Sequence, residues 1–267
     1  MEQLTTVKMQ IQELLCFGVA PGGGNAALVV RGDNTTMEQR QRFASQRGKP
    51  ACVFVDYAAD GGVVLDYFYP HKRSPLCLHA TLAAARVLLS PEQPELQVRT
   101  AMHEQQLTLI LRGGEVYIQL SPEPAPVIEI AADLPARLLA APDITLQSAP
   151  VIASVGSPKL LLEVADSATL QALTPDLPLI AGWSQRHGVS GCYAWCRRDD
   201  GAFEGRNFNH LDPAAEDGAT GVAAGALTVH LHASLTLFQG GNVGTPCRLR
   251  TEHFHERTLI GGRTEFA

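Results

Sequence analysis

Two stretches carry the reading of this chain: Cys77-Leu78-His79-Ala80-Thr81-Leu82-Ala83-Ala84-Ala85 and Glu216-Asp217-Gly218-Ala219-Thr220-Gly221-Val222-Ala223-Ala224. Both contain the block Ala-Thr-x-x-Ala-Ala. Ala80 and Ala219 stand 139 positions apart, about half of the 267 residues. Each block follows a loop-like segment and leads into small residues suited to close packing, so a helix is predicted to begin at each. A helix start leaves backbone N–H groups without intrahelical acceptors and carries partial positive charge. Two such starts facing each other would form a cleft for a small carboxylate.

The duplication extends outward from these blocks. Gly24-Asn25-Ala26-Ala27-Leu28-Val29-Val30 reads as a glycine turn running into a strand, and Gly156-Ser157-Pro158-Lys159-Leu160-Leu161-Leu162 repeats it 132 positions later. A polar-faced helix is predicted over 37–47, and 168–173 with 177–188 fills that slot in the second half. Strands are expected at 51–57, 63–69, 96–100, 106–112 and 115–120, then at 152–154, 159–164, 191–197, 206–208, 247–253 and 257–266. Apolar alternation on both sides of Arg112-Gly113-Gly114-Glu115 marks a hairpin. Prolines 122–126 and 135–142 separate the halves, so we expect domains at 1–130 and 131–267, the last strand being able to cross into the first domain.

Hydrophobic residues make up 45% and charged residues 18%, as in soluble globular proteins. With a net charge of −6 and no cluster of basic residues, nucleic acid is not an expected partner. Residues 1–15 lack the long apolar run of a secretory signal, and no stretch reaches the length of a membrane helix. A cytoplasmic protein without a membrane partner is expected. The six cysteines (16, 52, 77, 192, 196 and 247) are scattered. They are expected to be reduced and to form no zinc site; no metal is expected.

His79 stands at the first helix start, and imidazole is the side chain best suited to proton transfer near neutral pH. Capping or packing is its alternative role. Asp217, just before the second start, is either a cap or a partner that hydrogen-bonds His79 and sets its tautomer. Thr220 and the backbone of Gly221 are suited to holding a carboxylate. Gly24 and Asn25, together with Ala80 and Thr81, complete the expected substrate-binding set, Asn25 because its amide both donates and accepts. The Gly22-Gly23-Gly24 run lacks dinucleotide-binding spacing. His230 and His232 are expected along the second helix, and His253 and His255 on one strand face, all as surface or core residues.

Taken in order, Gly24-Asn25, Phe68-Tyr69-Pro70, Cys77-Leu78-His79-Ala80-Thr81 and Glu216-Asp217-Gly218-Ala219-Thr220-Gly221 resemble landmarks of the phenazine-biosynthesis PhzF-like family, which shares the diaminopimelate-epimerase fold. The resemblance covers most of the chain. It implies an α+β fold of two similar domains, each a curved, mostly antiparallel sheet wrapped around a central helix. It also implies a cofactor-independent isomerase or epimerase that moves a proton on a small carboxylate-bearing metabolite in the inter-domain cleft, with dimers common. His79 and Asp217 would be catalytic.

Three residues depart from the family's pattern. Ala51, in Pro50-Ala51-Cys52-Val53-Phe54-Val55, takes the place of the family's catalytic glutamate. Leu78 replaces a glycine, and Val222 a small residue. Cys77 matches one of the paired cysteines of amino-acid epimerases, but Gly218 stands where the second would be. A catalytically impaired binding protein is therefore the alternative to an isomerase, and an assembly role through a dimer interface is the third reading.

Overall fold

In the computed structural model, Gly24 and Gly156 share the same backbone angle, φ 118°, so the glycine turn inferred from sequence opens a strand in each half. That angle lies in a region open to glycine and costly for residues with a Cβ. The structure describes residues 9–211 and 213–267. Two units divide the chain. The first takes the described residues up to Cys16, Asn25–Ile118 and Arg263–Ala267; the second takes Phe17–Gly24 and Gln119–Gly262.

The first unit is built from β1 (Gln10–Phe17), β2 (Gly24–Arg31), α1 (Met37–Arg47), β3 (Ala51–Tyr57), β4 (Val63–Phe68), β5 (Arg73–Ser74), α2 (Leu78–Leu88), β6 (Glu95–Thr100), β7 (Gln106–Arg112) and β8 (Glu115–Leu120). The second contains α3 (Leu134–Leu138), β9 (Val151–Ala153), β10 (Lys159–Glu163), α4 (Ser167–Ala172), α5 (Leu177–His187), β11 (Cys192–Arg197), β12 (Phe203–Phe208), α6 (Gly221–Leu231), β13 (Leu235–Gln239), β14 (Cys247–Phe254) and β15 (Arg257–Gly262). The final strand, β16 (Thr264–Phe266), belongs to the first unit and pairs antiparallel with β1, Cys16 opposite Thr264.

The repeat holds at the level of single rungs. In the first unit Leu28 pairs with Cys52, and Cys52 with Phe68. In the second, Leu160 pairs with Cys192, and Cys192 with Phe208. The first pairing is parallel and the second antiparallel in both. These rungs feed matching layers. Leu28, Val30, Cys52, Phe54 and Phe68 form a core with Ala44 of α1. Leu160, Leu162, Cys192, Ala194 and Phe208 do so with Leu170 of α4 and Leu177, Ile180 and Trp183 of α5.

The other helix of each unit is the buried one. Residues Leu78–Ala85 of α2 are all buried, and the helix packs on β3, β7 and β16. Helix α6 is apolar nearly all round, as an enclosed helix must be, and packs on β9, β10, β14 and β15. A Cβ on Gly225 would come within 2.6 Å of Ile260 and 2.7 Å of Val155, so this glycine sets how closely α6 approaches its sheet.

Some local readings change. Residues 10–17 form β1, although their mixed polarity gave no strand signal; it lies between β2 and β16, the latter some 250 positions away. Strand β13 and helix α3 are further additions. The strand expected over 257–266 divides at Arg263. His232 ends α6 in the left-handed region (φ 50°) rather than continuing it. His255 sits in the turn after β14 with φ 51°, so it does not share a strand face with His253. Among the described residues no helix is long and apolar enough to cross a membrane.

Candidate active site

At the α2 start, Cys77 occupies the N-cap position and makes no side-chain cap bond. His79, the second helical residue, is 6% exposed, and its Nδ1 and Nε2 lie 3.4 and 3.8 Å from Cys77 Sγ. Beneath it, Thr81 Oγ1 donates to the Cys77 carbonyl at 2.8 Å and meets Tyr67 Oη at 2.7 Å. The Cys16 thiol donates to the His79 carbonyl at 3.1 Å. Both edges of the first turn are thus fixed from within the unit. Ala80 is fully buried, and Asn25, second residue of β2, is buried as well.

The α6 start is built differently. Thr220, its N-cap residue, also gives no side-chain cap. The organiser is Gln239, at the end of β13: its Nε2 donates to the Asp217 carbonyl at 2.8 Å and to Thr220 Oγ1 at 3.0 Å, while its Oε1 accepts from the Thr220 amide at 3.2 Å and from Tyr193 Oη at 3.2 Å. The Asp217 carboxylate accepts from Asn207 Nδ2 at 3.2 Å and Thr220 Oγ1 at 3.3 Å, and lies 3.6 Å from His210 Nε2. Gly221, the first helical residue, is buried.

The other long helices begin in another way. Thr36 and Gln39 form a capping box on α1, and Asp166 and Asp176 cap α4 and α5 through their carboxylates. The two buried helices, α2 and α6, carry no such cap. Their first-turn amides are therefore not spent on a side chain of their own N-cap, the condition for receiving an anion there.

A buried ion pair braces each loop that leads to these starts. Asp66 lies two residues before Phe68 and bonds Arg73 (2.7 Å) and Arg40 (3.3 Å). Arg206 lies two residues before Phe208 and makes a bidentate pair with Glu216 at 3.0 and 2.8 Å. Glu216 is thus engaged by Arg206. The polarity of the pair is reversed between the units.

Sequence reasoning placed His79, Asp217 and Thr220 but missed Tyr67, Asn207, His210 and Gln239. For Gln239 a signal exists. It falls in the buried phase of Leu235-Thr236-Leu237-Phe238-Gln239, where an apolar residue is the rule.

A model of the phenazine biosynthesis-like proteins, PhzC-PhzF, matches residues 15–264. The chain belongs to this family. It is 32% identical over 263 residues to an uncharacterised isomerase of Deinococcus radiodurans, covering 90% of this chain and 85% of that one. It is 28% identical over 255 residues to trans-2,3-dihydro-3-hydroxyanthranilate isomerase of Pseudomonas aeruginosa, covering 90% of each. Among solved structures, a predicted epimerase of Pseudomonas aeruginosa superposes with a TM-score of 0.80 at 21% identity over 97% of both chains, which shows the shared α+β fold.

The residues at which this chain departs from the family landmarks are well defined. Ala51 is fully buried at the head of β3, opposite Ala27, and contributes no acid or base. Leu78 is buried, whereas Val222 is partly exposed. A Cβ on Gly218 would lie 2.6 Å from Thr245 Oγ1, so a cysteine there would require Thr245 to move.

Proposed function

We propose that the protein is an isomerase or epimerase that moves a proton on a small carboxylate-bearing metabolite, using its own side chains as proton carriers. His79 takes the proton from carbon and returns it. Cys77, in contact with the imidazole, is the group that shares this duty in place of the glutamate absent at Ala51. The substrate carboxylate is held by the first-turn amide of Ala80, with Gly24 and Asn25 as further binding residues, while Thr81, whose amide donates to the Cys77 carbonyl at 2.9 Å, fixes the turn. In the second unit, Asp217 is the acid–base candidate, and Thr220 and Gly221 are the candidate anchors. The observation that carries the reading is an uncapped helix start bearing an imidazole 3.4 Å from a thiol. The isomerase and epimerase names of its relatives support the same reaction class.

A second reading, a binding protein without turnover, draws on the buried Ala51 at the family's glutamate position. One experiment separates the two. The protein is incubated in D2O with amino acids, hydroxy acids and trans-2,3-dihydro-3-hydroxyanthranilate, and deuterium on carbon is followed by mass spectrometry. Exchange into at least one compound, lost in His79→Ala, is expected. No exchange across the panel, with binding retained, selects the second reading.

A further inference from the structure

The corner that follows β12 carries an imidazole where its counterpart in the first unit has none. The rungs Cys52–Phe68 and Cys192–Phe208 align Phe68-Tyr69-Pro70 with Phe208-Asn209-His210. Proline, which closes the corner in the first unit, has no N–H to donate and no charge to gain. The fold therefore does not call for an imidazole at this position. In the second unit His210 Nε2 lies 3.6 Å from Asp217 Oδ1, with 25% of the histidine side chain and 23% of the aspartate exposed. The other carboxylate oxygen, Oδ2, accepts from Asn207 Nδ2 at 3.2 Å and from Thr220 Oγ1 at 3.3 Å, and Asn207 is itself held to Asn209 at 2.9 Å. Two neutral donors thus fix one oxygen, and the imidazole faces the other. Among the described residues, Arg206 and Glu216 are the charged groups lining the same hollow as His210, and they form a bidentate pair with each other. The connection between α4 and α5 adds Leu173, Thr174 and Pro175 to that lining, none of them titratable.

A pair this exposed adds little to stability. What a donor beside a carboxylate does control is its orientation and its ionised state. We propose that His210 is a positioning residue: from Nε2 it donates to Asp217 Oδ1, so that the carboxylate stays ionised and turned one way while a proton is moved on the substrate. At 3.6 Å the contact is looser than a hydrogen bond, as catalytic contacts often are before substrate tightens them. The inference rests on the isomerase reading and gives the acid–base candidate of the second unit its partner.

Two variants separate the ring from its donor. His210→Phe keeps a planar ring without an N–H, and His210→Gln keeps an amide N–H that can reach the place of Nε2. Deuterium exchange is followed on a compound that the unmodified protein labels in the D2O panel of amino acids, hydroxy acids and trans-2,3-dihydro-3-hydroxyanthranilate. His210→Phe is expected to lower kcat for exchange by at least about tenfold while KM changes by less than about threefold, because the contact acts on the proton-moving step and not on anchoring. His210→Gln should recover most of that loss, and both variants should melt close to the unmodified protein. His210→Pro, with the first unit's own corner residue, replaces the phenylalanine variant should that one fail to fold. Full exchange in the variant without a donor, equal losses in it and in His210→Gln, or a loss carried by KM alone would each overturn this inference and leave the isomerase reading standing. No exchange by the unmodified protein would overturn both.

Discussion

The thiol of Cys77 lies 3.4 Å from Nδ1 of His79, two residues on along the same uncapped helix start. Both side chains are buried and both belong to one unit, so this pair forms without any other element having to move. If His79 carries the proton, His79→Ala should lower exchange by about 10²–10⁴-fold, the usual contribution of a positioned acid–base group. Cys77→Ala should fall in the same range, and Cys77→Ser should recover only part of it. Deuterium incorporation measures all three. A Cys77→Ala protein with unimpaired exchange would remove the thiol from the mechanism.

Arg40 gathers three carboxylates: Asp33 at 2.7 Å, Asp56 at 2.7 Å and Asp66 at 3.3 Å. Burial works to lower its pKa, but the hydrogen bonds to Asp56 and Asp33 outweigh this and hold the guanidinium charged. Replacing Arg40 with Met strands Asp66, whose side chain is 3% exposed, with Arg73 as its remaining cation. A loss of about 3 kcal/mol is expected in urea unfolding. Arg137→Met, at a pair exposed by more than half on both sides, should change stability by under about 1 kcal/mol.

Two glycines within helices should respond with opposite sign. Gly225→Ala drives a Cβ into Ile260 and Val155 and should destabilise by about 1–3 kcal/mol. Gly182→Ala, in α5 where nothing lies within 4 Å of the new Cβ, should stabilise by about 0.5–1 kcal/mol. Thermal melts of the two variants should therefore move in opposite directions. A stabilised Gly225→Ala would mean that α6 does not lie as close to β15 as described.

None of the six cysteines is in a disulfide, and all are buried. Burial pushes the Cys52 thiol up to about 11 and that of Cys192 up to about 12. Neither should react with an aromatic disulfide reagent in the native protein at pH 8, whereas all six should react in denaturant. Prompt native labelling of Cys52, located by peptide mapping, would contradict the rung Leu28–Cys52–Phe68.

Burial lowers the pKa of His230 at the end of α6, against an opposing pull from Glu163. With the folded value below the ordinary one of about 6.5, the unfolded chain takes up the proton first as pH falls. This residue therefore costs stability as pH drops below about 6.5, and nothing near pH 8. His230→Gln should flatten that part of the stability–pH curve. An unchanged slope would show that His230 titrates alike in both states.

Much of the architecture was legible because it is local and occurs twice. Glycine turns, the Ala-Thr helix starts and the alternating pairs around Gly113-Gly114 each lie within a few residues, so chain order alone reveals them. The candidate site was legible only in part. His79 announces itself by its place before a run of small residues. Gln239 and Asn207, which hold Thr220 and Asp217, come from strands whose pairing brings them there, and no local pattern encodes that.

Taken by itself, the order of residues determined the two-fold repeat and a helix close to each Ala-Thr block, because covalent sequence and short-range backbone preference suffice for each; α2 begins two residues before Ala80 and α6 two after Ala219. Tertiary structure alone decided that β1 and β16 are partners, that Arg206 and Asp66 serve as opposite-signed braces, and that α2 and α6 begin without a side-chain cap. Those outcomes depend on which distant groups satisfy a buried amide, carbonyl or charge, and that accounting closes only when the chain has folded.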